Sequence, residues 1–257
     1  MTSALPLIAD SSSLQLAPGI CFSPVTNEGC IVLNVERGTV LSLNDTGALM
    51  FGKFLSGCLT RREFLDAVSS DFNCKDPARL EPTVDNLLQQ LVNKGVLQNR
   101  QSKVDDFARD LRRRLAYVLA RTVDVTLRLP LILRAQRLTS FLLLITADAI
   151  LNLADFGALH QAVKEWPIRN KASAEPQLVS QLCAAAEQAC SWYPKQSLCL
   201  QRSVLLTWLL RSYGIKGEMV IGVHKMPFYG HAWVELDGKV LNDDANAQNF
   251  FAVVSRC

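Results

Sequence analysis

An apolar helix followed by paired strands near the end of the chain most limits the possible folds. From Cys199 onward apolar residues recur at helical spacing, and Gly214 ends the helix. Two β-type runs follow at 218–224 and 231–236, and the Asp-Gly pair at 237–238 is a hairpin signal before the chain returns. A buried helix next to antiparallel strands predicts an α+β domain.

The same stretch carries candidate catalytic residues. Cys199 falls in the first turn of its helix, where unpaired backbone N–H groups and the helix dipole favour a thiolate. Strand alternation places His231 on the face opposite Ala232 and Val234, which are predicted core residues. Asp243 follows the hairpin and can reach the imidazole. The order Cys, His, Asp is that of papain and transglutaminases, and predicts Cys199 as nucleophile, His231 as base and Asp243 as its orienting acid.

Several alternatives remain open in this stretch. Asp244 competes with Asp243, because alternation alone does not separate them. His224 competes as the base, but the charge of Lys225 beside it disfavours an imidazolium. Gln196 could donate to an oxyanion, together with backbone N–H groups of the helix terminus. Each residue could also be purely structural, and only their combination favours a catalytic site.

The front of the chain predicts a small sheet followed by helices. Turn residues separate three strands, and a Thr-x-x-Glu capping box and an early Pro begin two helices. Together with a third helix and a strand returning at 96–97, this pattern is typical of a winged helix-turn-helix. Its last helix carries two acidic residues, Glu81 and Asp85, and one basic residue, Lys94. A helix that contacts DNA phosphates should be basic, so this charge argues against DNA recognition. The predicted strands are 20–25, 30–35 and 39–43, and the helices start near 45, 61 and 82.

Residues 20–98 resemble the RiPP recognition element, the PqqD-like domain that binds precursor leader peptides. The hairpin at 30–43, the turn at 43–47 and the ending at 91–97 carry the resemblance. It implies that a leader adds as a strand to the edge at 39–43 and packs against the third helix. Plain core is the alternative for the helix residues. The implied leader-binding residues are Thr39, Val40, Leu41, Val84, Leu87, Leu88 and Leu91.

Length and composition are sufficient for one large or two ordinary domains, and they exclude some functions. The chain has 257 residues, 49% of them hydrophobic, and a net charge of +3, too small to argue for nucleic acid. Polarity rises over 99–115, which predicts the boundary. The predicted order is a flexible arm at 1–19, a recognition domain at 20–98, a charged linker helix at 99–115 and a peptidase domain at 116–257.

Cysteine usage and hydropathy complete these expectations. The eight cysteines form no C-x-x-C pair and there are three histidines, so no metal site is predicted. The most apolar window, 141–147, is preceded by Arg134 and Arg137 and followed by Asp148 and Asp155, so it is too short to predict a membrane span. Without a signal-peptide pattern, we expect a reducing, cytoplasmic setting.

Residues 197–206 and 220–235 resemble the motifs of lasso-peptide B proteins, the transglutaminase-like cysteine peptidases that remove the leader from a lasso precursor. The resemblance covers about 175–244, and more loosely extends from 106. It implies hydrolysis of the leader–core bond through Cys199, His231 and Asp243. It also implies the precursor leader and an asparagine-synthetase-like cyclase as partners, and a requirement for ATP, although no Walker A sequence is present. The alternatives are acyl transfer to an amine, or a non-catalytic protein that delivers the precursor.

Overall fold

The chain divides into two compact units, Met1–Asp105 and Asp106–Cys257, and the division falls within the charged stretch at 99–115. The computed structural model describes residues 13–25, 29–57, 59–74, 76–99, 106–127, 135–169, 174–194, 199–224 and 229–257. Helices and strands are mixed in both units, as the α+β prediction requires.

Two three-stranded antiparallel sheets form within the first unit. The central strand of one is β1, flanked by β5 and β6, while the other is a meander in the order β2-β3-β4. The meander is the sheet that turn signals predicted. The strands are β1 (Ser13–Leu16), β2 (Ile20–Val25), β3 (Gly29–Asn34), β4 (Thr39–Leu43), β5 (Leu59–Thr60) and β6 (Leu97–Asn99).

The prediction of a flexible arm is wrong for residues 13–16. Leu14 is 2% exposed and belongs to the core of the first unit. The strand around it pairs with β5 on one side and β6 on the other, so its backbone polar groups have partners on both edges. Long-range pairing of this kind leaves no local sequence signal.

Helices α1 (Asp45–Gly52), α2 (Arg61–Asp71) and α3 (Glu81–Asn93) lie between β4 and β6. The Asn44 side chain caps α1 by accepting from the backbone N–H of Gly47, and Thr60 forms the predicted capping box with Glu63. The three predicted helices are confirmed. The winged-helix arrangement stays a prediction, because the returning strand β6 pairs with β1 and not with the meander.

The second unit places helices before a four-stranded antiparallel sheet in the order β10-β7-β8-β9. In the described parts of the chain no helix combines the length and apolarity needed to cross a membrane. The predicted break at Leu129-Pro130 lies outside the described residues. The elements are α4 (Asp106–Thr126), α5 (Gln136–Leu153), α6 (Phe156–Glu165), α7 (Pro176–Trp192), α8 (Cys199–Ser212), β7 (Glu218–His224), β8 (Tyr229–Leu236), β9 (Lys239–Val240), α9 (Ala247–Phe250) and β10 (Ala252–Arg256).

Buried contacts fix α8 in the second unit. Trp208, fully buried on α8, stacks on Trp166 with ring centroids 4.6 Å apart. The buried Arg211 guanidinium near the end of α8 donates to the backbone oxygens of Gly217 (3.0 Å) and Val163 (2.5 Å). These charge-assisted bonds tie the end of α8 to the segment leading into β7 and to α6, so the start of α8 rests on a rigid element.

Candidate active site

The structure brings His231 and Asp243 together. His231 lies on β8, and its Nε2 hydrogen-bonds Oδ2 of Asp243 in the segment after β9. The other oxygen, Oδ1, accepts from the backbone N–H of Asp244 at 2.8 Å. Asp243, and not the Asp244 carboxylate, is therefore the acid that contacts the imidazole. Because Nε2 is occupied, Nδ1 is the ring nitrogen that remains for another group.

Cys199 is the first residue of α8 and is half-buried. One helical turn later, the Ser203 hydroxyl donates to the backbone oxygen of Ala232 at 2.9 Å. Residues four apart share a helix face, so Cys199 lies on the face that Ser203 directs to β8. Ala232 adjoins His231, so the helix face that carries Cys199 and the strand that carries His231 meet in one region. A direct pairing of the Cys199 thiol with the imidazole stays a prediction, and Gln196 lies outside the described residues.

An aromatic platform supports the imidazole. The Phe251 ring stacks on His231 with centroids 4.9 Å apart and an interplanar angle of 27°, and Trp233 packs beside both rings. Gly222 is paired with His231 across the β7–β8 ladder. A Cβ atom at Gly222 would lie 2.7 Å from Phe251 Cβ and 2.7 Å from Trp233 Cη2. The missing side chain therefore leaves the space in which the platform forms.

Sequence reasoning missed Phe251 and Gly222. Residues 245–257 carry no motif, and their role follows only from tertiary structure, because the pairing of β10 with β7 brings Phe251 to the His231 ring. The one available signal for Gly222 was a glycine inside an apolar strand, which often marks a close approach of another group.

The competing base His224 lies on the same sheet face, two rows from His231. Its ring stacks on Tyr229 with centroids 5.2 Å apart, and meets Phe251 edge-on at 6.0 Å. The carboxylate of Asp243 bonds the ring of His231. The choice of His231 over His224 as the catalytic base stays a prediction.

The burial of β8 differs in part from expectation. Ala232 and Val234 are buried as predicted, but Trp233 and Glu235 on the His231 face are also buried, at 0% and 3% exposure. The expectation that this face points away from the apolar interior is therefore wrong at Trp233 and Glu235. The reason is that Ala247 of α9 packs against Trp233 on this face, and Arg256 of the edge strand β10 neutralises the Glu235 carboxylate at 2.6 Å.

Cys183 offers a second thiol on α7, but its chemistry is unsuitable. Burial, and to a smaller degree the charge of Glu187, raises the pKa of the Cys183 thiol above its ordinary value. Less of it is then a thiolate at neutral pH, which makes it a poor nucleophile.

The predicted leader-binding residues divide into two groups. Thr39, Val40 and Leu41 on β4 are half-buried, and β4 pairs with β3 along one side. The Thr39 hydroxyl donates to the backbone oxygen of Lys94 at 2.7 Å, which places the start of β4 beside the end of α3. The helix residues lie inside the hydrophobic core, which is the alternative that the sequence left open: Val84, Leu87, Leu88 and Leu91 are 1%, 8%, 0% and 0% exposed.

Comparisons with known proteins match one region in each of the two compact units. Residues 29–97 match the family described as coenzyme PQQ synthesis protein D (PqqD), and residues 141–256 match the transglutaminase-like superfamily. The microcin J25-processing protein McjB of Escherichia coli is 42% identical over 60 residues, which span 23% of this chain and 29% of that protein. No solved structure matches the chain. Both predicted family resemblances are thereby confirmed at the level of these regions.

Proposed function

We propose that this chain, in which a PqqD region precedes a transglutaminase-like region, is the leader peptidase of lasso-peptide biosynthesis. The observation that carries the proposal is the His231–Asp243 pair, set on a sheet beside the helix that Cys199 begins. The relative's name describes it as processing microcin J25, which supports a peptide precursor as the substrate.

Acylation uses the residues as follows. The Cys199 thiolate attacks the carbonyl carbon of the leader–core bond, and backbone N–H groups at the start of α8 stabilise the oxyanion. The His231 imidazolium then protonates the departing amine of the core peptide, and the leader stays attached as a thioester. Asp243 bonds Nε2, so Nδ1 is the nitrogen that serves the thiol and the amine.

Deacylation reverses these roles. Neutral His231 takes a proton from water, the hydroxide adds to the thioester, and collapse expels the Cys199 thiolate, with the proton retained on the imidazole. The leader leaves as a carboxylic acid, which ionises to the carboxylate by releasing its proton to the solvent. Bond making and breaking balance with water as the only co-reactant.

Leader docking is proposed at β4 of the first unit. The meander has two edge strands, β2 and β4. Pro24 lies within β2 and lacks an N–H, which protects that edge, whereas β4 has no proline. A leader added to β4 would gain backbone hydrogen bonds, and side chains of Thr39, Val40 and Leu41 would set its register. In this arrangement the buried residues Val84, Leu87, Leu88 and Leu91 support the docking surface from beneath.

Partners and nucleotide follow from the resemblance. We propose that the released core passes to an asparagine-synthetase-like cyclase, and that ATP acts with that partner. Among the described residues, no glycine-rich loop leads directly into a helix in the way that commonly holds phosphates. Both chemical steps above balance without ATP as a reactant. The thiol chemistry suits the reducing cytoplasm, where a catalytic cysteine remains unpaired.

A purified reaction with precursor and cyclase tests the peptidase. Mass spectrometry should detect a free leader and a new core N-terminus, and Cys199→Ala should abolish both while Cys190→Ala, a half-buried thiol on α7, retains them. Leader release by Cys199→Ala at the wild-type rate would refute the proposal.

The two rival functions give different products. An acyltransferase would give a leader joined to an amine and not a free carboxylate. A delivery protein would bind precursor without releasing leader, whichever residue stands at position 199.

A further inference from the structure

The hydrogen-bond ladder between β8 and the strand that follows the hairpin changes partner at Asn242. The ladder pairs Glu235 with Val240, and continues where the Leu241 N–H donates to the backbone oxygen of Val234 at 2.9 Å. In a regular antiparallel pair, the Val234 N–H would return to the backbone oxygen of Leu241. Here it donates to Oδ1 of the Asn242 side chain at 2.7 Å. A side-chain amide has replaced the backbone acceptor, and the strand leaves the sheet at this point.

This change of partner decides which aspartate meets His231. In the same register, a continued ladder would set Asp243 opposite Ala232 and Asp244 opposite His231. Residues directly opposite each other share a sheet face, so Asp244 would lie on the His231 face and Asp243 on the other. In the structure it is instead the carboxylate of Asp243 that bonds the imidazole. The observed pair therefore requires the strand to leave the regular ladder.

The other end of the same amide reaches the helix that Cys199 begins. Asn242 Nδ2 donates to the Ser203 hydroxyl at 3.1 Å, and that hydroxyl donates to the backbone oxygen of Ala232 at 2.9 Å. Ser203 is fully buried. One asparagine side chain thus bonds both α8 and β8. The amide presents an acceptor and a donor together, whereas an ionised carboxylate of the same size cannot donate.

We infer that Asn242 is a positioning residue, which diverts the strand after β9 to set Asp243 against His231 and ties that arrangement to the Cys199 helix through Ser203. This role rests on the proposed function for its catalytic consequence. The hydrogen-bond geometry is independent of that function.

A double-mutant cycle on leader release tests the catalytic consequence. We expect Asp243→Ala to lower kcat by about 100-fold or more, and Asn242→Ala to lower it by about tenfold or more with little change in KM. If Asn242 acts through Asp243, adding Asn242→Ala to Asp243→Ala costs less than about threefold further. Losses that multiply to the full product would overturn the inference.

Conservative substitution separates positioning from general support of the fold. Asn242→Asp keeps an acceptor for the Val234 N–H but loses the donor to Ser203, so its kcat should fall between those of wild type and Asn242→Ala. Asn246→Ala, at an exposed asparagine in the same segment, should leave kcat unchanged. A kcat for Asn242→Asp as low as that of Asn242→Ala would contradict the strand-diverting role.

An activity-independent measurement distinguishes failure of this inference from failure of the proposed function. In protein labelled with ¹⁵N-histidine, the His231 ring N–H bonded to Asp243 should give a downfield proton resonance. We expect Asn242→Ala and Asp243→Ala to abolish that resonance, while Asn246→Ala and Cys199→Ala preserve it. Its persistence in Asn242→Ala would overturn the positioning role even if Cys199 proved not to be a nucleophile. If Asn242→Ala does not fold, Asn242→Asp supplies the same test, with a weakened or shifted resonance expected and an unchanged one contradicting the role.

Discussion

The meander of the first unit and the sheet of the second unit are both antiparallel, but they differ in regularity. The β2-β3-β4 register runs without a shift. In the second unit the β10–β7 register shifts between Val253 and Ser255, and the ladder after β9 passes to the Asn242 side chain. A regular edge offers repeating backbone groups to any extended peptide, whereas an interrupted one fixes particular side chains. In the proposed function, the meander supplies affinity for the leader and the sheet of the second unit supplies the chemistry.

The largest expected effect comes from the imidazole of the second sheet. His231→Ala should lower kcat for leader release by about 10³-fold or more, because the thiol loses its base and the amine its acid. Affinity for a labelled leader peptide, measured by fluorescence anisotropy, should remain at the wild-type value. A matching loss of leader affinity would break the assignment of the two tasks to two sheets.

Gly222→Ala should disturb the second sheet next most strongly. The added methyl group would overlap Phe251 and Trp233 at 2.7 Å, and overpacking of this kind typically destabilises by about 1–3 kcal/mol. Denaturant unfolding measures the loss, and kcat should fall because Phe251 no longer stacks squarely on His231.

Gly230→Ala is the matched control for that change. It lies on the neighbouring strand, and a Cβ there meets nothing within 4 Å. Equal destabilisation by both substitutions would show that strand glycines matter for backbone freedom and not for the aromatic platform.

Proline scanning of β4 sharpens the binding half of the comparison. Of the neighbours Val40 and Leu41, one directs its N–H to β3 and the other to the open edge. Proline at the inward position should lower the melting temperature. Proline at the outward position should keep the melting temperature and weaken leader binding about tenfold, or ~1.4 kcal/mol. Wild-type leader affinity in both variants would exclude the β4 edge.

The smallest effect concerns pH and is confined to the second unit. Burial, and then the charge of Lys164, lowers the pKa of His160 below its ordinary value of 6.5, and its Nε2 lies 3.0 Å from the Ser255 hydroxyl on β10. The stability that neutral, buried His160 contributes is fully present above the unfolded pKa of about 6.5. It falls as pH drops through 6.5 towards the folded pKa, because the unfolded chain takes up the proton first.

Thermal unfolding between about pH 8 and about pH 5.5 measures this contribution. His160→Gln should flatten the profile of the second unit in that window. An unchanged slope would mean that other groups govern its acid sensitivity.

Local patterns in the sequence were sufficient for much of the secondary structure. Alternation and turn residues determine the meander, the capping box at Thr60 begins α2, and helical spacing from Cys199 to Gly214 defines α8. These features depend on neighbours within a few residues, so the local sequence determines them. The same patterns also limited the candidate base to His231 or His224.

Tertiary structure decided what depends on distant pairing. β1 is a strand because β5 and β6 flank it, and Phe251 supports His231 because β10 pairs with β7 and brings the Phe251 ring to the imidazole. The clearest case is the choice of Asp243 over Asp244. Alternation gives a side chain's face only while a ladder stays regular, and here Asn242 replaces a backbone acceptor just before the aspartates. The sequence determined that an acid follows the hairpin, and only the folded sheet determined which acid reaches the imidazole.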